Sequence, residues 1–455
     1  MNYLDFTALS CTLNAKDVKL ENGILHLTSD NGNARVCFNN IEFSAKENIR
    51  VKMKIKADIS EPIADNRFIL HYTTDMDPEF HIHKTLPVWF KYPKPDGWYE
   101  VVFDVTQFRQ WKSTITNMHI EFCDIEGEIL VEYIGLVKAD KYQDATHEQL
   151  TSEGFVGTRL LLDEHYERGF YVPQLEQKEN HLHGIWQDYC ETYEKPLWQI
   201  APWWCKYDLW ENRDKSLGKY TLADTYGINS VTYNPEEKYV SMRQNVTKIL
   251  EGRPHIPSEY KWWPHLLIEQ NSDYCDFDKV RNSANVDRMF VEIDVRATDF
   301  KDTINPEGKN HPSFMIYFYL MTDKAPGIRI WFGLDLLLET TGDDRTNIIW
   351  HPDSAAHQFM YKIPPASVFG CIEKALNPKE GVVITGKEWT KVRCDITTHI
   401  DRAVELANRD NAYGVPVTKE DLFFSGVNIG FEISGNYDIT IDYKNFNIVS
   451  YKKVN

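Results

Sequence analysis

Cysteine, positive charge and long apolar runs are what this 455-residue chain has least of. Its eight cysteines (Cys11, Cys37, Cys123, Cys190, Cys205, Cys275, Cys371 and Cys394) form no Cys-x-x-Cys pair and neighbour no histidine-rich run. They are expected to be reduced and mostly buried. Lys and Arg number 50 against 68 Asp and Glu, a formal net charge of −18. That imbalance excludes nucleic acid and anionic membrane surfaces as partners, because both are gripped by basic patches. No stretch approaches the roughly 20 apolar residues of a spanning helix. Met1-Asn2-Tyr3-Leu4-Asp5-Phe6 has neither the basic nor the apolar part of a leader. As the sequence stands a cytoplasmic location is expected, and secretion if a leader has been removed. A phosphate-cradling glycine loop and a Gly-x-Ser-x-Gly elbow are missing too.

Aromatic residues are plentiful: they make up 13% of the chain, with 13 Trp and 24 Tyr. That is more than a core of this size requires, which places some rings at a binding surface for an uncharged ligand. The chain reads as short alternating segments broken by Asn, Gly, Asp and Pro, such as Ile49 to Ile55 and Phe68 to Tyr72. Such spacing predicts an all-β sandwich. Three parts are expected: a sandwich over 1–140, a larger sandwich over 218–455, and between them a connector over 141–217 that packs on the larger one. The connector holds the densest aromatic stretch, Pro196 to Trp210, whose rings either pack or stack on a ligand. In the last part the strongest strands are 289–295, 314–320, 329–338, 391–396, 427–433 and 437–443. One helix, Thr398 to Ala407, interrupts them with an Ile400, Ala403, Val404, Ala407 stripe.

Asp96-Gly97-Trp98-Tyr99-Glu100-Val101-Val102-Phe103-Asp104-Val105, then Met118 to Phe122, then Gly127 to Leu136 form a recognisable ending. This run resembles the closing strands of bacterial carbohydrate-binding jelly rolls. Gly386-Lys387-Glu388-Trp389 through Asp395-Ile396 echoes it, with Trp389 answering Trp98 and Asp395 answering Asp104. Asn428 to Glu432, Gly435 and Ile439 to Tyr443 echo the remainder. The repeat predicts two tandem jelly-roll sandwiches of one kind, the second carrying the additions.

Alternation gives the second sandwich a candidate site. Trp262-Trp263-Pro264-His265-Leu266-Leu267-Ile268-Glu269-Gln270 reads as a strand entered through proline, with His265 and Glu269 on one face. Arg329, Trp331, Gly333 and Asp335 share the non-core phase of their strand, as do Asn428, Gly430 and Glu432, and Met315, Tyr317 and Tyr319. Gly333 and Gly430 are expected to leave space beside the carboxylates. Phe431-Glu432-Ile433-Ser434-Gly435-Asn436-Tyr437 resembles the late strand of β-jelly-roll xylanases and endoglucanases, although no matching nucleophile strand is evident. That resemblance implies Glu432 as acid/base. A pair of carboxylates is what glycosidic cleavage needs, so Glu432 would be the donor and Glu269 or Asp335 its partner. His265, Tyr317, Tyr319, Arg329, Trp331, Asn428 and Trp263 would bind an oligo- or polysaccharide. The alternative is a non-catalytic tandem carbohydrate-binding or interaction protein, which needs the rings but tolerates loss of any one carboxylate. No cofactor is expected. Asp343-Asp344-Arg345 reads as a turn, with structural Ca²⁺ the other use of such an acidic loop. His351-Pro352-Asp353 and His357 read as loop polar groups rather than a zinc site.

Overall fold

The computed structural model describes all residues except 1, 31, 58–66, 90–96, 106–109, 139–144, 175–181, 192–193, 204, 206–207, 211, 251–263, 272–282, 303–311, 339–347, 354–357, 369–387, 434 and 455. Trp262, Trp263, Asp343 to Arg345, His357, Cys275, Cys371 and Gly386 therefore lie outside the described residues. The chain divides into two compact units, Met1–Gln143 and Asp144–Asn455.

The first unit contains β1 (Asn2–Tyr3), β2 (Cys11–Leu13), β3 (Ala15–Glu21), β4 (Ile24–Ser29), β5 (Asn33–Ser44), β6 (Asn48–Ala57), β7 (Arg67–Thr74), β8 (Thr85–Trp89), β9 (Trp98–Asp104), β10 (Thr114–Cys123) and β11 (Gly127–Lys138). One sheet runs β3-β4-β11-β6-β9, with β1 also on β11, and the other runs β2-β5-β10-β7-β8. Alternation sends Phe38, Leu70, Ile120 and Phe122 of one sheet and Met53, Ile55, Val101 and Phe103 of the other into one dry core. Burying each such side chain contributes about 1.5–3 kcal/mol. Pro87 is tolerated because β8 is an edge strand, where a missing N–H costs no ladder bond.

The second unit contains β12 (Phe155–Arg159), β13 (Phe170–Pro173), β14 (Leu182–Trp186), β15 (Trp198–Ala201), β16 (Asn212–Ser216), β17 (Lys219–Ala223), β18 (Asn229–Asn234), β19 (Tyr239–Asn245) and β20 (His265–Asn271). It continues with β21 (Arg288–Asp302), β22 (Pro312–Thr322), β23 (Arg329–Leu338), β24 (Ile349–Asp353), β25 (Gln358–Ile363), β26 (Thr390–Asp395), β27 (Leu422–Ile433) and β28 (Tyr437–Lys453). An eight-stranded sheet runs β16-β17-β18-β19-β28-β21-β26 with β12 on β28, and a nine-stranded sheet runs β14-β13-β15-β20-β27-β22-β23-β25-β24. Their inner faces share a single core that includes Ile268, Ile316, Phe332, Ile429 and Phe431.

Both units are β-sandwiches of jelly-roll type, and the repeat is visible in their topology. With the additions set aside, the second unit reads β18-β19-β28-β21-β26 against β15-β20-β27-β22-β23. The first reads β3-β4-β11-β6-β9 against β2-β5-β10-β7-β8, which matches it position by position in chain order. Trp98 opens β9 and Trp389 directly precedes β26, while Asp104 and Asp395 close those strands. The helix spans Thr397–Arg409 and buries Ile400, Ala403 and Ala407, with Leu406 on the core side and Val404 half-buried.

The segment 141–217, expected as a connector, instead supplies β12 to one sheet of the second unit and β13, β14 and β15 to the other. Its rings are largely core. Trp186 and Trp198 are fully buried, and the Trp198 indole N–H donates to the carbonyls of Leu162 and Asp163, both at 3.0 Å. Strands of four residues with every position buried carry no alternation, so nothing in their pattern marked them as strands.

Candidate functional site

The outward face of the nine-stranded sheet is built in rows. Register sets Gln199, Glu269, Asn428, Tyr317, Gly333 and Lys362 opposite one another across β15, β20, β27, β22, β23 and β25. One row toward the rim lie Leu267, Gly430, Met315 and Asp335, and beyond them His265, Glu432 and Ser313. On the opposite side come Tyr319, Trp331 and Met360, then Met321 and Arg329. Glu269, Asp335, Glu432, His265, Tyr317, Tyr319, Arg329, Trp331 and Asn428 thus occupy one face.

The three expected carboxylates have different surroundings. Glu269 is 3% exposed; its Oε2 accepts from Gln199 Nε2 at 2.5 Å and its Oε1 from the Trp203 indole at 3.2 Å. Asp335 is fully buried, with Lys362 Nζ 3.1 Å from its Oδ1. Glu432 keeps about a quarter of its side chain exposed, and its Oε1 lies 3.5 Å from His265 Nε2. At roughly 4.8 Å per strand and 3.3 Å per residue, Cα separations are about 12 Å for Glu432 and Asp335 and about 14 Å for Glu432 and Glu269.

Electrostatics group the face further. Burial holds the His265 imidazole below its ordinary value, while the Glu432 and Asp353 carboxylates pull it back up. Burial also pushes the Tyr317 hydroxyl well up, and Glu432, Asp335 and Asp353 add to it. Glu269 contributes to neither. On a flat sheet β24 would lie about 24 Å from β20, well beyond a screening length of about 8–10 Å. A right-handed twist of about 20–25° per strand lifts diagonally opposite corners of a sheet toward the same side.

Neither glycine leaves room for a ligand, contrary to expectation. A Cβ on Gly333 would lie 2.3 Å from the Tyr317 ring, which fills that position. Gly430, at φ +154°, admits the Leu266 carbonyl, which would lie 2.1 Å from an added Cβ. The absent side chains accommodate a ring and a neighbouring backbone.

Several polar atoms on this face are buried and lack a hydrogen-bond partner: Gln199 Oε1, Asn428 Oδ1 and Trp331 Nε1. The rings stand edge to face, Tyr319 and Trp331 at 4.9 Å and Tyr317 and Trp331 at 5.9 Å. Asn428 donates to the Tyr319 hydroxyl at 3.3 Å.

Sequence reasoning missed Gln199, Trp203, Lys362 and Asp353. A lone Lys inside Gln358–Ile363 and a lone Gln inside Trp198–Ala201 were the available signals. Asp353 was hidden because Pro352 suggested a loop, whereas β24 is the sheet edge, where proline is tolerated. Among the described residues no group of three or more His, Cys, Asp or Glu could hold a metal ion, and no helix is long and apolar enough to cross a membrane.

No family model and no curated protein matches this sequence. Among solved structures the chain is similar to the family 11 xylanase from Neocallimastix patriciarum, with 9% identity, 52% of this chain and 94% of that chain covered, and a TM-score of 0.27. It is similar to a metagenome-derived glycoside hydrolase family 12 endoglucanase, with 11% identity, 54% and 96% covered, and a TM-score of 0.28. It is also similar to the xylan-binding module CBM86 from Roseburia intestinalis, with 10% identity, 30% and 95% covered, and a TM-score of 0.21. These likenesses are too distant to carry a function across.

Proposed function

We propose that the outward face of the nine-stranded sheet binds a glycan, and that Glu432 donates the proton that cleaves a glycosidic bond, with Asp335 as its carboxylate partner. The observation that carries this reading is the cluster of aromatic rings Tyr317, Tyr319 and Trp331 on the same face as the partly exposed Glu432 and its neighbour His265. The rings suit the apolar face of a sugar.

Glu432 is the donor because it alone of the three reaches solvent and has a neighbouring imidazole to exchange protons with. Asp335 is preferred to Glu269 because it acts with Glu432 on Tyr317, whereas Glu269 is held by Gln199 and Trp203. Both side chains stand off one face from backbones about 12 Å apart. That leaves room between the carboxyl groups for a water, which Asp335 would activate, with inversion at the anomeric carbon.

Glu432→Gln keeps the shape and removes the proton. It should lower sugar release from a panel of plant and bacterial polysaccharides by at least about 100-fold, the usual span of a general acid, while binding persists. Activity equal to wild type would refute the donor role. One observation favours the non-catalytic reading: Asp335 and Glu269 already have their charges engaged. Binding by wild type without sugar release from any member of the panel would establish that reading instead.

A further inference from the structure

We infer that the glycan is acidic, and that Arg329 selects it by pairing with the carboxylate of a uronic acid residue. This inference rests on the glycan reading of the same face. Arg329 lies at the aromatic end of the face, with its guanidinium carbon 5.2 Å from the Tyr319 ring centroid and 5.5 Å from that of Trp331. Those rings can cover the flat face of the guanidinium. They cannot accept the N–H donors that project from its edge.

Among the described residues no carboxylate pairs with Arg329. Its backbone N–H donates to Gln358 Oε1 at 2.6 Å, but no hydrogen bond runs from its side chain to another described residue. Asp353, on the same row two strands away across Gln358, makes no ion pair with it. In a chain of net charge −18, a half-buried arginine without an acid is unusual, since buried charges are ordinarily paired. The other cation of the face, Lys362, is already committed to Asp335. Arg329 is thus the cation left for a ligand.

Two further features fit a uronate. The guanidinium fork matches a planar carboxylate with two parallel N–H donors. The Trp331 indole N–H beside it is buried without an acceptor, and Asn428 Oδ1 nearby lacks a donor. One sugar ring could therefore stack on the partly exposed Trp331 and direct its carboxylate to Arg329. An overall negative protein repels acidic polymers at long range, so recognition must come from this local cation and should weaken with salt.

The test is calorimetric titration of the full chain with oligosaccharides of one length and linkage in three forms: uronate, the same oligomer with each carboxyl reduced to an alcohol, and a sulfated neutral oligomer. Wild type should bind the uronate form at least about 10-fold more tightly than the reduced form at low salt, and the ratio should fall as NaCl is added. In Arg329→Gln the ratio should approach 1, while Arg329→Lys should retain part of it. Equal binding of uronate and reduced forms by wild type would overturn the inference and leave the glycan reading intact. Tighter binding of the sulfated oligomer would reassign the site to sulfate and overturn it as well. If none of the three binds, both readings fall. Because the comparison of ligands on wild type needs no variant, a misfolded Arg329→Gln cannot shelter the idea.

Discussion

The two units share one strand plan but use the outward face of the corresponding sheet differently. In the first unit the row across β5, β10, β7 and β8 reads Cys37, His119, His71 and Thr85. Most of its polar groups satisfy one another, although Arg35 Nε is buried without a partner among the described residues. Arg35 Nη2 lies 2.5 Å from Glu121 Oε2, His71 Nε2 lies 2.9 Å from the same oxygen, and His119 Nε2 lies 2.9 Å from Asn39 Oδ1 with the Phe80 ring at 4.3 Å. In the second unit the row across β20, β27, β22 and β23 reads Glu269, Asn428, Tyr317 and Gly333, and Asn428, Gln199 and Trp331 keep polar atoms unmet. A more fully partnered polar face stabilises its sheet, whereas each buried polar atom left unmet costs stability.

The largest expected effect tests the second face. Lys362→Met removes an ion-pair partner of the fully buried Asp335 carboxylate and should cost up to about 3–5 kcal/mol, read as a lower urea midpoint. Adding Asp335→Leu should recover most of it, because an apolar pair of similar volume replaces the ion pair. The matching cut in the first unit, Arg35→Met, should cost no more than about 1 kcal/mol, since Arg35 is a third exposed and His71 still meets Glu121. Equal losses at both positions would show that the two faces bury their charges to the same degree.

A smaller effect separates two glycines on the second face. Gly430→Ala must move backbone, because the Leu266 carbonyl lies in the way and φ is +154°. Gly333→Ala need only displace the Tyr317 ring. Overpacking costs about 1–3 kcal/mol, so Gly333→Ala should fall within that range and Gly430→Ala at or above its top, as read by thermal unfolding. If Gly333→Ala proves the worse, the Tyr317 ring is fixed more firmly than backbone. Because that ring packs against Trp331, Gly333→Ala should also weaken glycan binding.

Much of this was legible in the sequence, and the reasons differ from residue to residue. Strand faces could be read because period-two alternation is local, which is why Glu269, Glu432 and Asp335 fall on one face without any knowledge of the fold. The repeat could be read because Trp98 and Trp389 mark the same strand start. Lateral order could not be read: whether Asp335 or Glu269 acts on the groups around Glu432 depends on which strands lie between them and on how the sheet twists. The space at Gly333 was misjudged because the ring that fills it belongs to another strand, β22, so no window of sequence contains both.

The smallest effect concerns pH, where the two units share a direction and differ in degree. Burial lowers His119 to about 4, helped by His71 and Arg35, and burial lowers His71 as well. In the second unit burial lowers His265, but Glu432 and Asp353 oppose it. A histidine whose folded value lies below its unfolded value of roughly 6.5 binds more protons when unfolded, so stability falls as pH falls through that interval. The contribution is fully present above about pH 6.5 and is lost as pH approaches 4, the folded value of His119. In the first unit two such imidazoles stand side by side, so His119 and His71 should together steepen its loss of stability between those limits. His119→Gln removes the titration and keeps a side-chain amide for Asn39, so the slope of unfolding free energy against pH should flatten in that window and stay unchanged above pH 7. A variant with the wild-type slope would mean that His119 does not carry the pH dependence of the closed face.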